Sequence, residues 1–310
     1  MDINELLHGF DDGDAAKKAA CAMEHVIIES GALVSLRTIC ADFSGILMVS
    51  DQNTFRVCGK DVADILGRKI ASTMQFETGD APLIPDEAAI AAIHDRCVEG
   101  VDLILGVGSG VINDLCKIVS FERNLPYYIV ATAPSMDGYV SSGAALILKG
   151  MKVTLHAAPP KAVIADTKVL KDAPMEMLQA GYGDIIGKYS CLNDWKLSAL
   201  INGEDLDEKA YDITYQTVEI VRTLVDGVKT RDEEAIGTLM KALVIVGLAM
   251  AYVGNSRPAS GSEHHFSHYF EITGILTDTP YLAHGIDVAY AAVLTAKLRE
   301  QILASLPERR

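Results

Sequence analysis

An α/β domain built on a mostly parallel sheet, followed by an all-α domain, is the fold this sequence predicts. Three observations carry the prediction. Up to Asp166, short apolar runs alternate with amphipathic stretches, and from about Ala173 onward no strand pattern survives. Hydrophobic residues make up 49% of 310 positions, enough apolar surface for two cores.

HVIIES (25–30) reads as the first strand, with GALVSLRTICADF as the helix after it. GILMVSD (45–51) leads to the helix CGKDVADILG, and KIASTMQFE (69–77) to DEAAIAAIHDRCVEG. VDLILGVG (101–108) leads to VINDLCKIVSFE, and YYIVATA (127–133) follows. The segment LILKGMKVTLHAAPPKAVIAD reads as a β-hairpin and a last strand, AVIAD. Long helical patterns then cover 174–202, 206–228, 233–254 and 280–306. The change of pattern puts the boundary at 172/173: an α/β nucleotide-binding domain over 1–172 and a helical domain over 173–310.

The net charge is −15 and the isoelectric point about 4.9. A field of that sign repels nucleic-acid backbones and anionic lipid, so neither is an expected partner, and an anionic substrate needs a local basic pocket. The cysteines at 21, 40, 58, 97, 116 and 191 form no CxxC pair and read as reduced, packed thiols. The N-terminus MDINELLHGFDDGD is acidic and carries no secretory signal. In the helical half the longest charge-free stretch, Ala242 to Ser256, is shorter than a bilayer span. A cytoplasmic protein without membrane insertion is expected.

Five stretches carry chemistry. GVGSGVINDLCK (106–117) stands between a strand and a helix, where glycines admit a ligand and free helix amides attract phosphate. It departs from the usual dinucleotide fingerprint, with Val111 at the third glycine position, and a plain tight turn explains it equally well. Asp51 ends the second strand, suited either to ribose hydroxyls or to an ordinary Asp-x-Asn turn. In SGSEHHFSH (260–268), His264 and His268 share a helix face while His265 points away. His284, in LAHGID beside Gly285 (a glycine that leaves room for an approaching molecule), and Asp184, in AGYGDIIGK, complete a carboxylate and two imidazoles. Such a set leaves positions open on a catalytic ion, but it also fits polar residues on separate helices. No HExxH or GxSxG occurs, and no carboxylate pair is singled out.

Taken in order, DQNT, GVGSGxINDLxK, TAPSMDG, AGYGDIIGKY, LNDW, NSRPASGSEHHFSH and a final HG resemble the sn-glycerol-1-phosphate dehydrogenases. The nearest branch is the bacterial arabinose-operon type, in the iron-alcohol-dehydrogenase and dehydroquinate-synthase-like superfamily. The resemblance covers nearly the whole chain and implies a Rossmann-like sheet in the first domain. It implies Asp184, His264 and His284 as metal ligands, and His268 and Asp137 as substrate contacts. Gly108, Ser109 and Gly110 match its pyrophosphate loop, Asp51 the adenosine end, and Asp114, Thr132, Ser135 and Ser141 other cofactor contacts.

The implied reaction is reduction of dihydroxyacetone phosphate to sn-glycerol 1-phosphate by NAD(P)H with one divalent ion, zinc or nickel before iron, in a homodimer. His268 or a water relay supplies the proton, since an imidazole titrates near working pH. Arg257 and Lys188 are the candidates for the substrate phosphate, each also readable as an ion-paired side chain. Asp51 favours NAD over NADP. Two departures stand out: HGID replaces the family's HGE, so a supporting glutamate is expected to be missing. The chain also runs only to Arg310, where family members carry further helices. The rival readings are a glycerol or other polyol dehydrogenase on the same scaffold, dehydroquinate-synthase-like chemistry, and a non-catalytic nucleotide-binding protein.

Overall fold

The computed structural model describes residues 2–10, 23–77, 79, 81–277, 279 and 282–305; Cys21 lies outside them. The strands are β1 (His25–Glu29), β2 (Ile46–Asp51), β3 (Ile70–Phe76), β4 (Leu103–Gly108), β5 (Tyr127–Ala131), β6 (Gly143–Leu148), β7 (Met151–His156) and β8 (Ala162–Asp166). Six of them form one parallel sheet in the order β1-β8-β5-β4-β2-β3, and β6 and β7 pair as the expected antiparallel hairpin.

Alternate residues of the central strands feed two separate cores. Leu47, Val49, Ile104, Ile129 and Val163 face one, and Ile46, Met48, Leu105, Val130 and Ile164 face the other. A strand covered on both faces has no polar side to show, which is why these runs read as continuously apolar. The first of the two cores continues into the helical half, and Phe10 near the chain start packs against Tyr252 with tilted rings, 4.9 Å between centroids.

The principal helices are α1 (Lys60–Leu66), α2 (Glu87–Arg96), α3 (Gly110–Arg123), α4 (Met175–Asn202), α5 (Glu208–Arg222), α6 (Glu233–Val253), α7 (Ser262–Thr277) and α8 (His284–Ser305). Aspartates at 86, 207 and 232 cap α2, α5 and α6 by accepting backbone N–H bonds of 2.9–3.0 Å. Gly203 and Gly254, at φ 68° and 76°, end α4 and α6 in the left-handed conformation.

Two expected helices are shorter than their patterns. After Ala32–Ser35 and Leu36–Ile39 the chain turns, because Lys69 Nζ takes the carbonyls of Ala41 and Phe43 at 2.6 and 2.7 Å. The 206–228 pattern breaks after Arg222, where the Thr223 hydroxyl donates to the Ile220 carbonyl at 2.8 Å. Helix α6 is long and apolar enough to cross a bilayer, with a mean hydropathy of 2.0, but 78% of its most apolar window is buried inside the molecule. It is the spine of the helical core.

Candidate metal and cofactor site

The strand order reverses between β2 and β4, because the chain steps outward to β3 before returning. In open α/β sheets the crevice at the carboxyl ends beside such a reversal is where ligands bind. Asp51, Gly108, Ser109, Gly110 and Thr132 all stand at that edge, and the Thr132 N–H donates to the Gly108 carbonyl at 3.1 Å. Ser109 makes no side-chain cap at the start of α3, so the first-turn amides are not taken up by it.

The polar side chains around this edge are otherwise engaged. Asp51 Oδ1 accepts from the amides of Asn53 and Thr54 at 2.7 and 2.8 Å, which is the plain turn-and-cap reading. Asp114 accepts from Asn113 and from the Ala145 amide, tying α3 to the hairpin, and pairs with Lys117 at 3.7 Å. Ser141 donates within its own loop to the carbonyls of Gly138 and Gly143. The Ser135 N–H turns back to the Ala133 carbonyl.

The loop 132–140 links this edge to the helices. Lys117, fully buried on α3, donates to the carbonyls of Gly138 and Gly143 at 2.7 and 2.8 Å. On the other side the Asp137 amide donates to Asp184 Oδ2 at 2.9 Å. Gly181, one turn before Asp184, makes this approach possible, since a Cβ there would stand 1.8 Å from the Pro134 carbonyl oxygen. Gly285 does the same for α8: a Cβ there would be 1.9 Å from the Ala180 carbonyl oxygen. The space beside His284, expected for an incoming molecule, is therefore filled by the backbone of α4.

These close crossings bring together the residues the sequence singled out. Donor atoms of Asp184, His264 and His284 lie within 4.8 Å of one another. His268 completes a group of three imidazoles, with ring centroids 5.2 to 6.0 Å apart. His265 is exposed, as its phase on the helix requires. The LNDW segment positions α7, because Asp194 Oδ2 accepts from the Ser262 amide at 2.7 Å at the start of that helix.

Two glutamates that the sequence reading passed over hold the imidazoles. Glu263 Oε1 meets His264 Nδ1 at 2.8 Å, and Glu271 Oε1 meets His284 Nδ1 at 3.2 Å. Each leaves the other ring nitrogen free, the arrangement that orients a ligating histidine. A carboxylate beside His284 is therefore present, contributed by the neighbouring helix and not by the residue after Gly285. Its signal was in the sequence: Glu271 follows His268 by three positions, so both share a helix face. A second trio, His268, Glu271 and His284, also has its donor atoms within 4.8 Å.

Charge decides what the cluster can hold. Burial pushes Asp184 up, but Lys188 and the two imidazoles outweigh it and hold the carboxyl at about 2. Burial likewise opposes ionisation of Glu271, which His284 and Lys152 bring down to about 2. Burial and the charge of Asp184 push Asp137 up, while burial and then Glu271 push Asp287 up to about 6. Five carboxylates (137, 184, 263, 271 and 287) are buried here against the ammonium groups of Lys188 and Lys152. An excess of buried carboxylates with two free imidazole nitrogens fits a divalent cation.

Three expectations change. Lys188 is fully buried and clamped by Asp137 Oδ2 at 2.7 Å and Asp184 Oδ1 at 2.6 Å, so it braces the cluster and does not face a substrate. Arg257 forks onto Glu204 with two contacts of 2.6 Å, in a depression shared with Asp194, Asn255, Ser256 and His265, and is not part of the histidine group. His268 does not titrate near neutrality: burial first, then Lys152, bring it down to about 4.

A family model for iron-containing alcohol dehydrogenases matches residues 27–174. The glycerol-1-phosphate dehydrogenase [NAD(P)+] of Bacillus velezensis is 34% identical over 312 residues, covering 96% of this chain and 78% of the relative. That of Halalkalibacterium halodurans is 35% identical over 256 residues, covering 82% of this chain and 64% of its own length. That of the archaeon Methanosphaerula palustris is 37% identical, covering 79% and 68%. The chain therefore spans between about two thirds and four fifths of these relatives. Among solved structures, glycerol dehydrogenase from Schizosaccharomyces pombe superposes with a TM-score of 0.72 at 18% identity, covering 90% of this chain and 71% of that one, which speaks for the fold alone.

Proposed function

The chain belongs to the glycerol-1-phosphate dehydrogenases, within the iron-containing alcohol dehydrogenases, and from that premise we propose that it reduces dihydroxyacetone phosphate to sn-glycerol 1-phosphate with NAD(P)H. The observation that carries the reading is the buried group of Asp184, His264 and His284, with both imidazoles held by glutamates. Its zinc, nickel or iron is not distinguished by one carboxylate and two imidazoles, a set that suits all three, zinc and nickel being preferred here. Asp184, His264 and His284 would hold the ion, and it would supply Lewis-acid polarisation of a ketone oxygen during reduction.

The chain's own residues do the rest. Asp184, His264 and His284 hold the ion, while Glu263 and Glu271 fix the two rings. The first-turn amides of α3 receive the cofactor's pyrophosphate at the carboxyl edge of the sheet. The 132–140 loop, pinned by Lys117 and Asp184, joins the sheet edge to the histidine cluster and would hold cofactor and substrate in a fixed relation. His268, neutral at working pH, would give the proton of its N–H nitrogen toward the substrate oxygen while its other ring nitrogen takes one from water. A division into a cofactor half over 1–172 and a metal and substrate half over 173–310, and assembly as a homodimer, belong to the same reading.

The test is direct. Purified protein is mixed with NADH or NADPH and dihydroxyacetone phosphate, and nicotinamide absorbance is followed with chelator and with added Ni²⁺ or Zn²⁺. Chelator-sensitive oxidation that needs the phosphorylated ketone is expected. Turnover of dihydroxyacetone with NAD(P)H, or of glycerol with NAD(P)+, in place of the phosphorylated ketone would replace the reading by a polyol dehydrogenase, and no turnover with any ketone would end it. Sedimentation velocity tests the dimer.

A further inference from the structure

We propose that Lys152, on the hairpin arm β7, binds the substrate's phosphate and thereby selects a phosphorylated ketone over the free one. The proposal rests on the reading above that the substrate is a triose phosphate. A dianionic ligand entering a chain of net charge −15 needs a cation for its phosphate within reach of the histidine cluster. Of the cations around the cluster, Lys188 is fully buried between two carboxylates, and Lys117 is fully buried beneath the 138–143 loop. Arg257 is forked onto Glu204, and Arg299 is spent on Asp194, Ser190 and Ser262.

Lys152 differs in three respects. Its ammonium pairs with one carboxylate, Glu271, the residue that orients His284, which puts the charge beside the His268–Glu271–His284 corner. Its side chain is 19% exposed, whereas those of Lys117 and Lys188 are at 0%. An ammonium has three donors, so holding Glu271 leaves two for phosphate oxygens.

The backbone beneath it is fixed as well. The Ile147 amide donates to the Pro85 carbonyl at 2.9 Å, the Lys149 amide to Glu87 at 2.7 Å, and the Ala145 amide to Asp114 at 3.2 Å. The hairpin therefore carries a cation from the sheet half to the edge of the histidine group, and only the lysine side chain has to move to meet a ligand. A phosphate held there sets the ketone's other end toward Asp184, His264 and His284.

The experiment uses metal-loaded protein and the variants Lys152→Gln and Lys152→Arg. Calorimetry measures binding of dihydroxyacetone phosphate and of inorganic phosphate; steady-state kinetics compare dihydroxyacetone phosphate with dihydroxyacetone; metal content is assayed in each. Lys152→Gln is expected to weaken dihydroxyacetone phosphate about 30-fold, the loss of one charge-assisted contact, and to lower its kcat/KM relative to dihydroxyacetone by the same factor. Metal content stays at the wild-type level and Lys152→Arg recovers most of the affinity.

Equal losses on both ketones, a loss of metal, or unchanged phosphate affinity would overturn the assignment and leave Lys152 as a support for Glu271. Binding of dihydroxyacetone phosphate that depends on Lys152 but is followed by no NAD(P)H oxidation would uphold the assignment and remove the proposed reaction.

Discussion

The carboxyl edge of the sheet and the histidine cluster present their polar groups in opposite ways. At the edge, the side chains of Asp51, Asp114 and Ser141 are engaged in caps and loop bonds, and the first-turn amides of α3 are left without a side-chain cap. In the cluster, the backbone is closed within α4, α7 and α8, and the side chains face one another with unbalanced charge. A backbone site is a property of one contiguous stretch. A side-chain site exists only where helices distant in sequence cross closely.

The contrast is broken most severely by removing a donor. His264→Ala is expected to abolish stoichiometric metal binding and to lower ketone turnover about a thousandfold or more, while NADH affinity holds. Elemental analysis and NADH fluorescence titration check it, and a parallel loss of NADH affinity would mean that the two regions are one unit.

Next in size is Gly181→Ala, which forces a Cβ to within 1.8 Å of the Pro134 carbonyl. Overpacking against backbone should cost about 3 kcal/mol in denaturant unfolding. A loss below about 1 kcal/mol would show that the crossing of α4 and the 132–140 loop yields easily.

Glu263→Gln sharpens the cluster side. It keeps the shape but loses the charge that holds His264, so metal affinity should fall about tenfold in chelator competition with NADH affinity unchanged. Unchanged metal affinity would reduce Glu263 to a buried packing residue.

The smallest effect is expected at Asp51. Asparagine caps a helix about as well as aspartate, so Asp51→Asn should leave stability within about 0.5 kcal/mol, whereas Asp51→Ala should cost about 1 kcal/mol. If Asp51 Oδ2 also meets the ribose, the NADH-to-NADPH preference shifts with Asn; if the residue is only a cap, the preference stays and stability alone responds to Ala.

Much of the fold was legible beforehand. All eight strands, the hairpin and three of the four long helical patterns stand where their apolar residues put them, since sheet faces and helix stripes must be buried whatever the topology; the 206–228 pattern breaks after Arg222, and Ser262–Thr277 is a further helix outside the four. The candidate ligands were legible for a different reason, their distinct residue types in order along the chain. What escaped was every role set by a neighbour from elsewhere: Glu271 behind His284, Lys152 on Glu271, Glu204 on Arg257, and the α4 backbone in the gap beside Gly285. The low titration range of His268 escaped too, because burial and a lysine on another element produce it.

The sequence by itself determined two architectures in succession and the names of three ligand candidates. Hydrophobic period and residue type are local properties, and they survive any arrangement of the elements. Tertiary structure alone decided the strand order, and with it which loops share the carboxyl edge. It also decided how each cation is engaged: Lys188 is buried between two carboxylates, Arg257 is forked onto Glu204, and Lys152 sits at the rim with Glu271 as its one carboxylate partner. The reason is that pairing a charge depends on distance and burial, and neither exists until the helices have crossed.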